Sequence, residues 1–221
     1  MSMQLDKVQP KNKTQLKQLI NYAFKHNIYD LNFIDTSEIT DMSLLFSNRM
    51  HNFDVSSWDV SNVTNMGYIF YHCKNFNCDL SNWDVSNVIN TYALFRKCNK
   101  FTGKGLENWN TSKLVIMSAT FFLCKKFTGK CLENWDVSRV RDLDDTFSNC
   151  ENLNCDLSKW DTSNVENMFR TFCRCKKFTA KGLEKWNISK VTEYREMLYG
   201  CDNATIPSWY KESWYYRTYN K

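Results

Sequence analysis

The sequence predicts an α/β solenoid of about seven coils of 24–26 residues, each holding a short parallel strand and a short helix. A helical cap is expected at its N-terminal end and an aromatic cap at its C-terminal end. Three observations lead there: a fixed tryptophan period, two hydrophobic periodicities inside each unit, and few turn-forming residues. Glycine and proline number only six and two in 221 residues. Hydrophobic content of 43% and aromatic content of 15% exclude a disordered chain. The expected division is residues 1–30 for the capping helix, 31–206 for the array and 207–221 for the aromatic cap.

The period comes first. Trp58, Trp83, Trp109, Trp135, Trp160 and Trp186 follow one another at intervals of 25, 26, 26, 25 and 26 residues. Ile34 takes the same slot 24 residues before Trp58, giving seven units. A period in the twenties marks coils that each contact only their neighbours. Counting from the tryptophan, position +2 is apolar or threonine, from Val60 and Val85 to Thr162 and Ile188. Position +5 is Val63, Val88, Leu114, Val140, Val165 and Val191, and +12 is Phe70, Phe95, Phe121, Phe147, Phe172 and Leu198. Position +8 is mainly large and apolar, with Thr91 as the exception. The alternation Trp83–Asp84–Val85–Ser86 reads as a short strand. From Val88 onward apolar residues recur at intervals of three and four, which reads as a helix. Stacked strands would form a parallel sheet with about 4.8 Å between neighbours.

A serine at +3, Ser37 in the first unit and Ser189 in the last, is expected to cap each helix with its hydroxyl. Units of the type "FTGKGLENW" are one residue longer than "FNCDLSNW", and their glycines suit a widened turn. At the N-terminal end Leu16, Leu19, Ile20 and Phe24 lie at helical spacing, with Asn12 or Thr14 as N-cap. At the other end Trp209, Tyr210, Trp214, Tyr215, Tyr216 and Tyr219 have two readings, a cap or an aromatic binding surface.

These residues resemble the 26-residue repeat of BspA-like leucine-rich-repeat surface proteins, the "WDVSNVTNM…MF" type. The likeness covers roughly residues 31–202 and recurs in six or seven copies. "TFFLCKKF" and "TFSNCENL" also resemble the F-x-x-C-x-x-L segment of treponemal-type repeats. The resemblance implies a curved, right-handed, leucine-rich-repeat-like solenoid and an interaction role, without catalysis. The family is associated with bacterial surface adhesion and host-protein binding, and similar repeats occur in large DNA viruses.

Two polar columns are the candidate interaction sites. Position +1 holds Asp59, Asp84, Asn110, Asp136, Asp161 and Asn187, expected on the exposed face of the sheet. Beyond the +15 cysteine column stand Lys74, Lys100, Lys125, Lys126, Lys176 and Lys177, a basic edge suited to an anionic partner. The expected function is a non-catalytic scaffold for a protein partner. The alternatives are a structural or virion-associated component, or a binder of an anionic polymer, glycan or nucleic acid. No glycine-rich phosphate loop, H-E-x-x-H or nucleophile elbow is present, so no enzyme is expected.

Cys73, Cys98, Cys124, Cys150, Cys175 and Cys201 fill position +15 in every tryptophan unit. A ladder of buried thiols fits this column, as do disulfides between neighbouring coils. Cys173 and Cys175 lack a second pair at zinc spacing, and the aspartates lack the dense oxygen loop of a calcium site. No metal or cofactor is expected. Neither a secretory leader nor a membrane span is legible, so an intracellular setting is expected, virion or host cytoplasm included if the chain is virus-encoded.

Overall fold

The computed structural model describes residues 7–211. Helix α1, Lys13–Lys25, opens the fold. Asn12 is its N-cap: Oδ1 accepts the Gln15 N–H at 3.0 Å, pairing one of the amides a helix start leaves open. Leu16, Ile20 and Ala23 on the buried face join the core. Phe24 meets Phe46 and Phe53 edge-on, so α1 lies over the first repeat.

Consecutive repeats then lie one on another. In the second coil the Met66, Tyr68, Phe70 and His72 amides donate to the Asn90, Tyr92, Leu94 and Arg96 carbonyls at 2.7–3.0 Å. The same pattern recurs from Thr91, Met117, Leu143 and Met168. Isolated parallel bridges run Asp41↔Asn65↔Asn90↔Ile116↔Asp142↔Asn167↔Glu193, all at position +7. Inside this ladder the side chains stack in register. The +12 rings Phe46, Phe70, Phe95, Phe121, Phe147 and Phe172 stand 5.5–5.7 Å apart, within 18° of parallel. Each indole N–H reaches back one coil to a carbonyl, as Trp83 does to Val55 (2.9 Å) and Trp135 to Leu106 (2.9 Å). A buried Trp N–H is thereby satisfied without a polar side chain in the core.

The strand and the helix expected within each coil are not what the chain forms. Among the described residues α-helix occurs only in α1 and in α2, Ser208–Lys211. Each coil is instead a succession of tight turns. In the second coil Trp58, Val63, Ile69, Cys73 and Phe76 donate to the carbonyls three residues before them. Positions +10 and +14 are left-handed: φ is 60° at Tyr68 and His72, 52° at Ala93 and 65° at Lys97. Four-residue turns bring +8 and +12 to the interior at the spacing a helix would use, which is why the hydrophobic pattern resembles one. The left-handed residue re-aims the peptide planes, so that alternate amides point to the next coil. The inter-coil ladder thus occupies the stretch expected to be helical, while Trp-Asp-Val-Ser forms a corner.

The capping role also falls to a different residue. In every coil the side-chain oxygen at +1 accepts the serine N–H, as Asp59 does from Ser61 at 2.9 Å and Asp161 from Ser163 at 3.0 Å. These are Asx turns, in which the short carboxylate or amide mimics a backbone acceptor. Threonine replaces valine at +2 where its hydroxyl can bond across coils: Thr36 to the Asp59 carbonyl, Thr111 to that of Asp136, Thr162 to that of Asn187. The exceptional Thr91 is matched by Thr120, whose hydroxyl lies 3.0 Å from its own. In the longer units a short 3-10 turn follows a left-handed glycine. A Cβ on Gly182 would stand 2.2 Å from the Ser158 nitrogen, which no side chain tolerates.

Trp209 extends the indole column. Its Nε1 donates to the Leu183 carbonyl at 3.0 Å, the bond each earlier tryptophan makes. Only 23 residues separate it from Trp186, so spacing alone assigns it to the terminal aromatics. Tyr210 is buried, whereas Trp214, Tyr215, Tyr216 and Tyr219 lie outside the described residues.

Candidate interaction surfaces

The +1 column, Asp59, Asp84, Asn110, Asp136, Asp161 and Asn187, is exposed throughout. It lines a row of corners rather than a sheet face. One oxygen of each residue is committed to its serine amide, at 2.9–3.2 Å. Hydrogen bonds from Ser86 hold the Asp84 carboxyl below the usual range, and the Ser163 amide does so for Asp161. The aspartates therefore serve the fold first.

The basic edge is likewise exposed at Lys74, Lys100, Lys125, Lys126, Lys176 and Lys177. An asparagine one position along fastens this edge between coils: Asn75 donates to the Met50 carbonyl, Asn152 to that of Lys125, Asn203 to that of Lys176, at 2.6–2.7 Å. Lys125 pairs with Glu151 at 3.0 Å. Lys104 and Lys181, just beyond, pair with Asp79 and Asp156 at 2.9 and 2.8 Å. Such exposed pairs contribute little to stability, because water screens both charges.

A third surface escapes a reading by columns, because it is where the columns break. Positions +9, +10 and +13 sit on the outer side of the inter-coil ladder and change type from coil to coil. Tyr68 meets Tyr92 edge-on at 5.0 Å. The Arg96 guanidinium lies 4.0 Å over the Phe122 ring, and that of Arg170 lies 4.8 Å over Phe169. Arg170 also donates through Nε to Glu196 at 2.6 Å. Between these aromatic pairs stand Asp142, Asp144 and Asp145. Ser118 donates to Asp142 at 2.7 Å, but Oδ1 of Asp144 and of Asp145 is buried with no hydrogen-bond partner among the described residues. Burial, then the neighbouring Asp145 and Asp142, push the Asp144 carboxyl up to about 6. Departure from the template is the signal in the sequence that marks this face.

The +15 cysteines are free thiols, all buried. Each donates to the +12 carbonyl of the preceding coil, from Cys73 to Phe46 (2.9 Å) through Cys124 to Phe95 (3.0 Å) to Cys201 and Phe172 (2.8 Å). A small apolar residue with a weak donor suits this place, since the carbonyl would otherwise be unpaired inside the core. Burial pushes the Cys73 and Cys201 thiols up to about 12. Among the described residues no group of three His, Cys, Asp or Glu side chains is placed to hold a metal ion. No described helix is long and apolar enough to cross a membrane.

A chain built almost wholly from one stacked unit defines a repeat protein. The family described as "Mycoplasma protein of unknown function, DUF285" matches it twice, over residues 14–105 and 92–209, and the chain belongs to that family. That family stands within the BspA-like and Mycoplasma repeat group. No curated protein and no solved structure matches it.

Proposed function

We propose that the chain is a non-catalytic scaffold: a BspA-like, right-handed, leucine-rich-repeat-like solenoid that holds a protein partner on its outer side. One observation carries the reading. The repeating polar groups are spent within the fold, whereas the arginine–aromatic face around Arg96, Phe122, Phe169 and Arg170 breaks the repeat at outward positions. Tyrosine and arginine are the residues that anchor protein interfaces. No comparable observation supports a catalytic reading. The +1 column is the further surface proposed for contact with that partner.

The test is crosslinking of partners to the intact chain and to two variants, Arg96→Glu/Arg170→Glu and Asp84→Lys/Asp136→Lys. Loss of a specific partner in the first variant supports the arginine–aromatic face, and loss in the second assigns contact to the +1 column. Equal recovery of every partner by all three proteins refutes both surfaces.

A further inference from the structure

The lysine edge is not uniform along the stack. At positions +13 to +19 the first four coils read Ser47 to Phe53, Tyr71 to Asn77, Arg96 to Thr102 and Phe122 to Thr128. These stretches hold Arg49, Lys74, Arg96, Lys97, Lys100, Lys125 and Lys126, and not one aspartate or glutamate. In the fifth coil the equivalent stretch holds Glu151 and no cation, which ends the run. Lys74, Lys97, Lys100 and Lys126 make no ion pair among the described residues; only Lys125 is neutralised, by Glu151. A separate sign of the local field comes from His72 on the same edge. Burial lowers its pKa first, and the charges of Lys74 and Lys97 lower it further.

We propose that this carboxylate-free edge of the first four coils binds the phosphate backbone of single-stranded nucleic acid. Its geometry is that of a row of coils. The +12 rings place successive coils 5.5–5.7 Å apart, so each coil adds its own cations to the edge at that step. A single strand, whose stacked rise is ~3.4 Å per nucleotide and which lengthens when unstacked, can follow such a step. Lysine serves phosphate as a mobile point charge. Protein interfaces are depleted in lysine, which argues against an acidic polypeptide here. Half-buried Tyr71 stands beside the charged line, its ring 6.0 Å from that of His72 and 5.7 Å from that of Tyr68. Rings flanking a basic track are the platforms on which bases of any sequence stack. This inference does not depend on the arginine–aromatic face as a protein-binding site.

The experiment is fluorescence anisotropy with a labelled oligothymidylate of about 20 nucleotides, against labelled oligoglutamate, over a range of salt. Four or five phosphate contacts predict that log K falls against log salt with a slope of about −3. Lys97→Glu/Lys100→Glu/Lys126→Glu should weaken oligothymidylate at least tenfold and flatten that slope. Lys176→Glu/Lys177→Glu, in the sixth coil, should leave it within about twofold. Tyr71→Leu should weaken oligothymidylate several-fold and leave oligoglutamate unchanged. Tryptophan near-ultraviolet circular dichroism checks that every variant is folded. Absence of salt-dependent binding, or wild-type affinity in the triple variant, overturns the proposal. So does oligoglutamate binding as tightly as oligothymidylate with Tyr71→Leu silent, which would make the edge a site for acidic polypeptide. Arg96 belongs to both surfaces and is left intact in every variant here, so failure of this proposal is distinguishable from failure of the crosslinking experiment.

Discussion

Trp135 tests the stacked architecture at its centre. It is 4% exposed, its Nε1 donates to the Leu106 carbonyl at 2.9 Å, and its ring lies 5.8 Å from Trp109 and 6.0 Å from Phe121. Trp135→Ala removes that burial, which costs about 3–5 kcal/mol in a packed core. It also strands the Leu106 carbonyl, an unmade bond that places the total in the upper part of that range. With ~2–4 °C per kcal/mol for a chain of this size, the melting temperature should fall by roughly 8–20 °C. Trp135→Phe keeps a ring in the stack and loses mainly the hydrogen bond, so a loss of about 1–2 kcal/mol is expected. Trp209→Ala, at a half-buried site in the last turn of the stack, should cost less than Trp135→Ala. Thermal unfolding followed by circular dichroism measures all three. A Trp135→Ala melting temperature within about 2 °C of the parent would refute the reasoning, because a core indole cannot be removed so cheaply.

Asp144→Asn should stabilise the fold, and only above acid pH. The folded pKa of about 6 lies above the ordinary aspartate value of 3.8, so folding favours the protonated form. The favourable term is complete below pH ~4 and is lost as pH rises through about 6. The residue is only half-buried, so solvent screening reduces the penalty at pH 7 to about 1–2 kcal/mol. Urea unfolding of both proteins at pH 4 and pH 7 should show a gain confined to the higher pH, and equal gains at both would refute it. Iodoacetamide at pH 8 should leave Cys98, Cys124 and Cys150 unlabelled in the folded protein and label them in urea; intact-mass analysis showing them modified under native conditions would contradict the buried-thiol column. Gly182→Ala forces a side chain into left-handed backbone 2.2 Å from the Ser158 nitrogen. It should cost more than the ~1–2 kcal/mol of the backbone conformation alone, and an unchanged melting temperature would contradict the turn.

What the sequence reveals of this fold is its inside. Val63, Phe70 and Cys73 could be placed inward because only an interior position repeats an apolar type six or seven times. The secondary structure was not legible from the same pattern. Intervals of three and four arise from a helix, and equally from four-residue turns closed by left-handed residues. Nothing at Tyr68, His72 or Lys97 signals positive φ, since glycine fills such a position only at Gly200 among the seven coils. Serine at +3 reads as a cap because it recurs just before a stretch of helical spacing, yet its amide is the donor and Asp59 or Asn110 the acceptor. Constancy shows that a position matters and leaves open which of its atoms does the bonding.

The same logic explains why the surfaces were the harder part. A column that never varies is constrained by its neighbours above and below, and the Asx oxygens at +1 show how completely a polar column can be absorbed by the fold. Positions free of that constraint are those whose side chains leave the ladder outward, and there Tyr92, Ser118, Asp144, Phe169 and Arg195 succeed one another at +9 with no common chemistry. Turns rather than strands make this separation possible. Each coil takes its hydrogen bonds from backbone amides and Asx oxygens, so an outward residue can change from serine to aspartate to phenylalanine without altering the stack. The orphaned oxygens of Asp144 and Asp145 mark the place where that freedom has been used at a cost to stability. A surface that lowers stability at neutral pH is one whose residues the repeat itself does not require.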